Sequence, residues 1–322
     1  MATVKWGIIG SSGWADHTFG PAVTRTPGHA LVAVLGSTAK GSAAYAERHG
    51  CAAGYADLTG FLAHPGLDAV WVASPPDMHR AQAVAALRAG KHVLCEKPMA
   101  VSPADCRAMV KAAASANRVL HIGFNNRSHP ALQKIARLTA GGKLGDLLEA
   151  RVQVYYPYPS APPTWRQNKK RSGGWAIGDV GTHLLDILCW VMHAAPRAAQ
   201  GHLTSRCWQL ATDDHAAVQV LFRNGAVGSI TACTGAAGGP SRVEVYGTRG
   251  YCLLRGGVFG APGELEIGYK GKEPTTEEIE PVDTYGGEVA LFGQAVRGKS
   301  TVLATGADGA VNISLVSAAR GW

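Results

Sequence analysis

The chain has 322 residues, of which 46% are hydrophobic and 17% are charged, and its formal net charge is +8 with a pI near 9.2. A chain of this length can bury more than one hydrophobic core, so two globular domains are expected. The sequence contains neither a run of about 18 apolar residues nor a signal-peptide pattern, which predicts a cytoplasmic protein that does not contact the membrane. The positive charge favours anionic ligands. No basic element carries groove-reading motifs, which argues against nucleic acid as a partner.

The first third of the chain alternates short apolar stretches with helical ones. Apolar strands are predicted in VKWGIIG, HALVAVLG, LDAVWVASPP, HVLC and RVLHIGFN, at residues 4–10, 29–36, 67–76, 92–95 and 118–125. The strands are apolar throughout rather than at every second residue, and this pattern is typical of a parallel sheet covered on both faces. We therefore expect an α/β fold whose N-terminal domain, residues 1–122, is a doubly wound parallel sheet.

The pattern changes from about Leu147 onwards. LLEARVQVYY, AAVQVLFRNGAVGSITACTG and SRVEVYGTRGYCLLRGG alternate apolar and polar residues with period two, which indicates strands with one solvated face. Residues 123–322 are therefore expected to form a second α/β domain with a large open, mainly antiparallel sheet.

The turn after the first strand is the expected phosphate site of the N-terminal domain. In a doubly wound sheet this turn presents backbone N–H groups to an anion. Here it reads Gly10, Ser11, Ser12, Gly13, and Ser12 replaces the second glycine of the usual G-x-G-x-x-G/A pattern. Serine is small enough to be tolerated there, and its hydroxyl can donate to a phosphate oxygen. The alternative is a tight turn that binds nothing.

The second predicted strand ends in GSTAKGS, at residues 36–42, without the acidic residue that usually holds the ribose of NAD. Ser37 and Thr38 could hydrogen-bond a 2′-phosphate, and Lys40 could neutralise it. The sequence therefore predicts that NADP(H) is preferred to NAD(H). In the alternative interpretation, Lys40 is simply an exposed residue at the start of the next helix.

Two separate segments carry residues suited to proton transfer. Lys97 follows a strand end, where ligands bind in open α/β sheets, and Pro98 fixes the backbone after it, with a cis peptide bond as one option. Residues 177–190 are predicted to form one helix on which Asp179 and His183 share a face. Imidazole suits the proton that accompanies hydride transfer, an ammonium can polarise a carbonyl, and a carboxylate can orient either group. A solvated lysine and a helical Asp/His pair with a structural role are the alternatives.

The sequence resembles the Gfo/Idh/MocA oxidoreductase family over essentially its whole length. The resemblance lies in SPPDMHRAQAVAAL, AGKHVLCEKPMAVSPADC, HIGFNNRSHP, GGKLGDLLEARV, SGGWAIGDVGTHLLD and EVYGTRG. It implies a Rossmann domain, a second domain whose open sheet forms homo-oligomers, and NAD(P)-dependent oxidation or reduction of a cyclic sugar or polyol. It also implies that Lys97, Asp179 and His183 are the catalytic residues.

The remaining candidate site residues are assigned from the same resemblance or, for Asn126 and Arg127, from their position after a predicted strand end. The cofactor is assigned further contacts from Ser74, Pro75, Glu96 and Lys97, and the substrate from Asn126, Arg127, Trp165, Arg166 and Trp175. Trp175 stands where a glycine is usual, and it could stack on a sugar or cap the helix. The basic run at residues 169–171 could admit an acidic substrate, although a solvated loop is preferred.

Several alternatives to a dehydrogenase stay open. The same fold can bind a nucleotide without catalysis, as in a sensor, and transient sugar oxidation could also serve a glycosidase. The seven cysteines are scattered and never spaced as CxxC, which predicts reduced thiols and no bound metal. The family pattern also predicts a short tail beyond the final SAARGW.

Overall fold

A computed structural model of the chain describes residues 2–162 and 164–320, apart from the side chain of Thr164. The strands in these residues are β1 (Val4–Ile9), β2 (His29–Leu35), β3 (Ala53–Tyr55), β4 (Ala69–Val72), β5 (His92–Cys95), β6 (Leu120–Ile122), β7 (Leu147–Tyr155), β8 (Pro196–Thr204), β9 (His215–Phe222), β10 (Val227–Cys233), β11 (Arg242–Gly247), β12 (Gly250–Gly256), β13 (Gly263–Tyr269) and β14 (Thr275–Ile279).

The α-helices of the described residues are α1 (Gly13–His17), α2 (Phe19–Arg25), α3 (Ala39–Arg48), α4 (Leu58–Leu62), α5 (Pro76–Arg88), α6 (Pro103–Ala116), α7 (Pro130–Ala140), α8 (Thr164–Gln167), α9 (Lys169–Ser172), α10 (Thr182–Met192), α11 (Thr284–Val296) and α12 (Gly306–Ala319). Two short 3₁₀ segments, Asn125–Ser128 and Val258–Gly260, and a π-helical segment, Ala176–Gly181, complete the helical elements of these residues.

The described residues form two compact units. Unit 1 contains the chain up to Asn125 together with Tyr285–Ala310, and unit 2 contains Asn126–Thr284 and the chain from Val311. The sequence predicted two continuous segments divided after residue 122, whereas unit 1 also includes a stretch that follows most of unit 2.

Unit 1 is built on a six-stranded sheet in the order β3-β2-β1-β4-β5-β6. All its strand pairs are parallel, and this is the order expected of a dinucleotide-binding fold. The four residues of β4 are all buried, as they must be when helices cover both faces of the sheet. The predicted doubly wound sheet is confirmed. The sequence did not reveal β3, because its three residues are too few to show a hydrophobic period.

Aromatic packing explains why residues 285–310 belong to unit 1. Trp6 of β1 and Trp71 of β4 are fully buried, and their ring centroids lie 6.0 Å apart. Phe292 of α11, also fully buried, lies 4.9 Å from the Trp6 ring. Burying one such side chain contributes about 1.5–3 kcal/mol, so α11 supplies a substantial part of the core around β1.

Unit 2 is built on an eight-stranded sheet in the order β14-β13-β12-β11-β7-β10-β9-β8. β7 and β10 pair in parallel, and the other neighbouring strands are antiparallel. Ala150, Val152 and Val154 of β7 are buried in the same core as Leu184 and Leu188 of α10. The predicted large, mainly antiparallel sheet is confirmed.

The predicted single helix over residues 177–190 is wrong in its first part. The structure has the π-helical segment Ala176–Gly181, and the regular helix α10 begins only at Thr182. The carboxylate of Asp213 accepts hydrogen bonds from the backbone N–H of Trp175 at 3.1 Å and of Ile177 at 2.6 Å. A carboxylate that binds the first N–H groups of a helical segment fixes where that segment starts, so a distant residue decides this geometry.

Three kinds of feature are absent from residues 2–162 and 164–320. No helix in them is long and apolar enough to cross a membrane. No group of three or more His, Cys, Asp or Glu side chains in the same residues is arranged to hold a metal ion. None of the seven cysteines, all within these residues, forms a disulfide bond.

His29 makes the stability of unit 1 depend on pH. Trp6 Nε1–H donates to His29 Nδ1 at 2.8 Å, so that nitrogen must be unprotonated. Burial, together with the positive charge of Arg297, lowers the pKa of His29 from 6.5 to about 4. Between about pH 4 and about pH 6.5, His29 therefore binds a proton in the unfolded chain but not in the folded chain. This contribution to stability is complete above about pH 6.5 and is lost as the pH falls towards about 4.

We expect His29→Gln, which keeps an acceptor for Trp6 but does not titrate, to reduce this acid sensitivity. Urea unfolding of both proteins at about pH 7 and about pH 4.5 measures the effect. The wild-type protein should lose more free energy of unfolding on acidification than the variant. Equal losses would show that His29 does not couple to folding.

Candidate functional site

The turn after β1 is closely packed on one side and open on the other. Gly10 has φ +113°, and a Cβ there would lie 2.7 Å from the carbonyl oxygen of Ala73, so only glycine fits. Ser12 is the N-cap of α1, and its Oγ accepts from Ala15 N–H at 3.3 Å. A Cβ on Gly13 would meet no atom within 4 Å. The space in front of Gly13 is therefore open to a ligand.

The segment after β2 presents small polar groups to solvent. Ser37, Thr38 and Lys40 are all exposed. Thr38 is the N-cap of α3, where its Oγ1 accepts from Gly41 N–H at 3.1 Å, and such a hydroxyl can still donate its own proton. The Ser11 side chain packs against Gly36, which has no room for a Cβ. These contacts hold the two strand ends together.

Lys97 lies in a loop that Glu96 fixes. Glu96 is buried, its Oε1 accepts from Trp71 Nε1–H at 3.1 Å, and its Oε2 accepts from the Lys97 backbone N–H at 3.3 Å. The Lys97–Pro98 peptide bond is cis, which was one of the two conformations that the sequence allowed. The Lys97 side chain is half-buried. Glu96 therefore holds the backbone of the loop through contacts within the protein.

His79 is a residue of this region that the sequence interpretation missed. Its fully buried ring lies on α5, with Nε2 2.7 Å from the carbonyl oxygen of Ser74 and Nδ1 3.0 Å from that of Pro98. Burial lowers the pKa of His79, while its backbone contacts act in the opposite direction. The ring joins the turn after β4, which contains Ser74 and Pro75, to the Lys97 loop. A lone histidine in a helix gives no sequence signal for such a bridge.

The candidate cofactor residues of unit 1 meet at one edge of its sheet. Each group of these residues follows one strand: Gly10 to Gly13 follow β1, Ser37 to Lys40 follow β2, Ser74 and Pro75 follow β4, and Glu96 and Lys97 follow β5. Because these strands are parallel, their carboxyl ends share an edge, which is where ligands bind in open α/β sheets.

In unit 2, Asp179 accepts hydrogen bonds from two side chains. The Tyr158 hydroxyl donates to Oδ2 at 2.8 Å, and Arg166 Nε–H donates to the same oxygen at 3.1 Å. The Arg166 guanidinium also stacks over the Trp165 ring, 4.3 Å from its centroid. Burial and the Asp179 charge raise the pKa of Tyr158, so its hydroxyl remains a donor. The sequence interpretation did not assign Tyr158, since a tyrosine in a proline-rich stretch carries no positional signal.

The contacts of Trp175 favour packing over sugar stacking. Its ring is fully buried, 5.2 Å from the Tyr158 ring and 6.1 Å from the Trp208 ring. Both neighbours belong to unit 2, and its backbone N–H is bound by Asp213. Lys169 and Lys170, in the basic run before it, are exposed on α9, so this run is a short helix instead of the loop expected.

Asn126 and Arg127 both make contacts inside unit 2. Asn126 Oδ1 accepts from the backbone N–H of Phe259 at 2.8 Å. Arg127 forms a two-point ion pair with Asp186, with Nη2 2.7 Å from Oδ1 and Nε 2.9 Å from Oδ2, and both side chains are buried. The guanidinium of Arg127 is thus used in the core, whereas its assignment to the substrate stays a prediction.

His183 lies in the first turn of α10 and is buried, with the ring of Phe259 against it. Unit 2 therefore supplies a buried imidazole on one helix and, in the π-helical segment before it, a carboxylate that accepts hydrogen bonds from Tyr158 and Arg166. This arrangement suits proton transfer to or from a bound molecule.

Comparison with known proteins identifies the family. Residues 4–124 match the family described as "Oxidoreductase family, NAD-binding Rossmann fold", and residues 132–252 match the "GFO/IDH/MocA C-terminal domain". The 1,5-anhydro-D-fructose reductase of Ensifer adhaerens is 30% identical over 320 residues, which cover 98% of this chain and 96% of that protein. The chain belongs to the Gfo/Idh/MocA oxidoreductase family. The levoglucosan dehydrogenase of Pseudarthrobacter phenanthrenivorans is 29% identical over 232 residues, 64% of this chain and 60% of that enzyme.

Solved structures agree with this fold over nearly the whole chain. Aldose-aldose oxidoreductase from Caulobacter crescentus, complexed with glycerol, superposes with a TM-score of 0.88 at 23% identity, covering 98% of this chain and 96% of that one. Levoglucosan dehydrogenase in complex with NADH and levoglucosan has a TM-score of 0.86 at 24% identity, with the same two coverages. The predicted family, oxidoreductase class and fold are confirmed.

The Gfo/Idh/MocA family implies a bound nicotinamide dinucleotide, and the residues of unit 1 fit one. Gly10 lets the turn pass close to β4, and the open space at Gly13 allows a phosphate to approach the backbone. Hydroxyl groups of Ser11, Ser12 and Ser37 lie at or beside the same sheet edge as possible donors.

The two glycines of the turn should respond differently to substitution by alanine. Gly10→Ala should destabilise the protein by about 1–3 kcal/mol, because φ +113° and the Ala73 carbonyl both oppose a Cβ. Gly13→Ala should leave thermal stability nearly unchanged but weaken cofactor binding, because the added methyl group enters the ligand space. Thermal unfolding without cofactor and titration calorimetry with NADH and NADPH measure the two effects. Wild-type cofactor affinity in Gly13→Ala would contradict this view of the turn.

Proposed function

We propose that this chain transfers hydride between NADP(H) and a cyclic sugar, sugar derivative or polyol, with Lys97, Asp179 and His183 at the reacting oxygen. The observation that carries the proposal is the pairing of two sets of residues in one oxidoreductase chain. Unit 1 has a sheet edge that carries the candidate cofactor residues, Lys97 among them. Unit 2 has the buried imidazole of His183 and, four residues before it, the hydrogen-bonded carboxylate of Asp179. The names of the anhydrofructose reductase and levoglucosan dehydrogenase relatives support a sugar substrate.

The chain's own residues would handle the proton and the charge on the substrate oxygen. His183 accepts the hydroxyl proton during oxidation and returns it during reduction, since imidazole titrates near neutrality. The Lys97 ammonium stabilises negative charge on that oxygen, and Asp179 orients the donors around it. Tyr158 and Arg166 keep the Asp179 carboxylate in place by donating hydrogen bonds to it. The nicotinamide, when bound, supplies or accepts the hydride at C4.

His183→Asn should lower kcat by about 10²- to 10⁴-fold, because the amide cannot accept and return a proton. The Kd for the cofactor should remain unchanged, since unit 1 carries the cofactor residues. A matched control is His193→Asn at the C-cap of the same helix, where His193 has φ 47°, a conformation that asparagine tolerates.

A panel of cyclic sugars and polyols, assayed in both directions with each cofactor, provides the measurement. Wild-type turnover in His183→Asn would remove this residue from the mechanism. Glycoside cleavage without net change in NADPH would favour the glycosidase alternative, and cofactor binding without turnover of any substrate would favour the sensor.

The preference for NADP(H) over NAD(H) rests on the segment after β2. Its exposed Ser37, Thr38 and Lys40 carry no negative charge that would repel a 2′-phosphate, and Lys40 can offset the phosphate charge.

Lys40→Ala should weaken NADP(H) binding about tenfold, which corresponds to about 1.4 kcal/mol for a hydrogen bond to a charged group. NAD(H) binding should hardly change, since NAD(H) lacks the 2′-phosphate. Lys111→Ala, the same change at an exposed site on α6, is the control. The preference would be refuted if wild-type protein bound NADH more tightly than NADPH in titration calorimetry.

The assembly and the location of the protein are also proposals. The open face of the eight-stranded sheet carries the exposed cross-strand pair Leu221 and Val227, which supports a homo-oligomer formed through this sheet. A cytoplasmic location stays a prediction from the sequence.

A further inference from the structure

Phe259 has a backbone conformation that a bulky residue rarely adopts. It lies between β12 and β13 with φ 62° and ψ 27°, in the left-handed region. Gly256 at the end of β12, and Gly257 and Gly260 in the same loop, also have positive φ, at 73°, 74° and 78°. Glycine accepts this conformation readily, whereas a phenylalanine there is an outlier. The loop therefore carries strain at the one left-handed position that is not glycine.

The surrounding structure holds Phe259 in this conformation from both sides. Its backbone N–H donates to Oδ1 of Asn126, whose side chain is 1% exposed, at 2.8 Å. On the other side, the Gly260 carbonyl accepts from Val282 N–H at 3.0 Å. A strained residue persists only where its neighbours determine its conformation in this way.

The side chain of Phe259 contacts the imidazole of His183. The two ring centroids are 4.9 Å apart and the ring planes meet at 82°, an edge-to-face contact. His183 is only 4% exposed. The phenyl ring therefore restricts rotation of the imidazole and shields it from water on that side.

We propose that Phe259 is a positioning residue for His183. A glycine at position 259 would relieve the backbone strain, but it would leave the imidazole without this neighbour. The contact of the ring with His183 thus explains why phenylalanine occupies a position where glycine would adopt the backbone conformation with less strain. Asn126 supports this arrangement by accepting a hydrogen bond from the Phe259 backbone. The role given to Phe259 in turnover rests on the proposed function of His183, whereas its hold on the imidazole does not.

Comparison of Phe259→Gly with Phe259→Ala tests the strain. At ordinary positions glycine is less stable than alanine, because the unfolded chain gains more freedom. At φ 62° the order should reverse, and the glycine variant should unfold at a higher Tm than the alanine variant, although both lose the same ring contacts. A Tm of the alanine variant equal to or above that of the glycine variant would overturn the strain argument.

The orientation of His183 is tested without substrate or cofactor. Diethyl pyrocarbonate modifies exposed imidazoles, and peptide mass mapping can read the rate at His183 alone. We expect faster modification in both Phe259 variants than in the wild-type protein, with unchanged rates at His202, an exposed residue of β8. An unchanged rate at His183 would show that Phe259 does not cover the imidazole.

Kinetics then connect the contact to turnover. Both variants should lose up to about 100-fold in kcat through misplacement of the imidazole, with an altered pH dependence of kcat and an unchanged Kd for NADPH. A purely structural role would leave the pH profile unmoved. If His183→Asn is inactive but Phe259→Gly keeps full turnover, the inference about Phe259 is overturned. Full turnover in His183→Asn would instead contradict the proposed role of His183 in catalysis. The modification rates would still show whether Phe259 covers the imidazole.

Discussion

The parallel order of the strands in unit 1 is the constraint on which the candidate cofactor site depends. Parallel strands all end at the same edge, so turns that are far apart in the chain are brought together there. Side chains then fix these turns to one another. Glu96 binds Trp71 and the Lys97 backbone, and His79 lies between the carbonyls of Ser74 and Pro98. Contacts within the protein therefore fix these turns to one another.

Unit 2 uses two hydrogen-bonded carboxylates, the buried Asp213 and the partly buried Asp179, for a similar purpose. Asp213 binds the start of the π-helical segment, and Asp179 within that segment is bound by Tyr158 and Arg166. Burial raises the pKa of Asp213, while the hydrogen bonds from Ile177 and Trp175 oppose this effect. A charge removed from water is costly unless such donors compensate it. The donors therefore both stabilise the carboxylates and fix the direction in which they point.

The sequence was sufficient where structure is decided locally. The start of α6 at Ser102 and Pro103 was readable, since the Ser102 side chain accepts from Asp105 N–H three residues later, and the apolar strands of unit 1 were readable from their composition. The π-helical segment could not be predicted from the sequence, because Asp213, which fixes its start, is 36 residues from Ile177. The ion pair of Arg127 with Asp186 and the contact of Phe259 with His183 likewise join distant residues, so neighbouring sequence gives no sign of them.

The chain order of the two units constrains how the protein is made. The segment Asn126–Thr284 is inserted into unit 1, whose core needs Phe292 of α11 against Trp6 of β1. Domains generally fold as they leave the ribosome, N-terminal parts first. Here the aromatic core of the N-terminal sheet stays incomplete until the whole inserted segment has been synthesised, because Phe292 follows that segment in the chain. During that interval the apolar surface around Trp6 lacks the cover that Phe292 gives it in the folded protein, and exposed apolar surface of this kind favours aggregation.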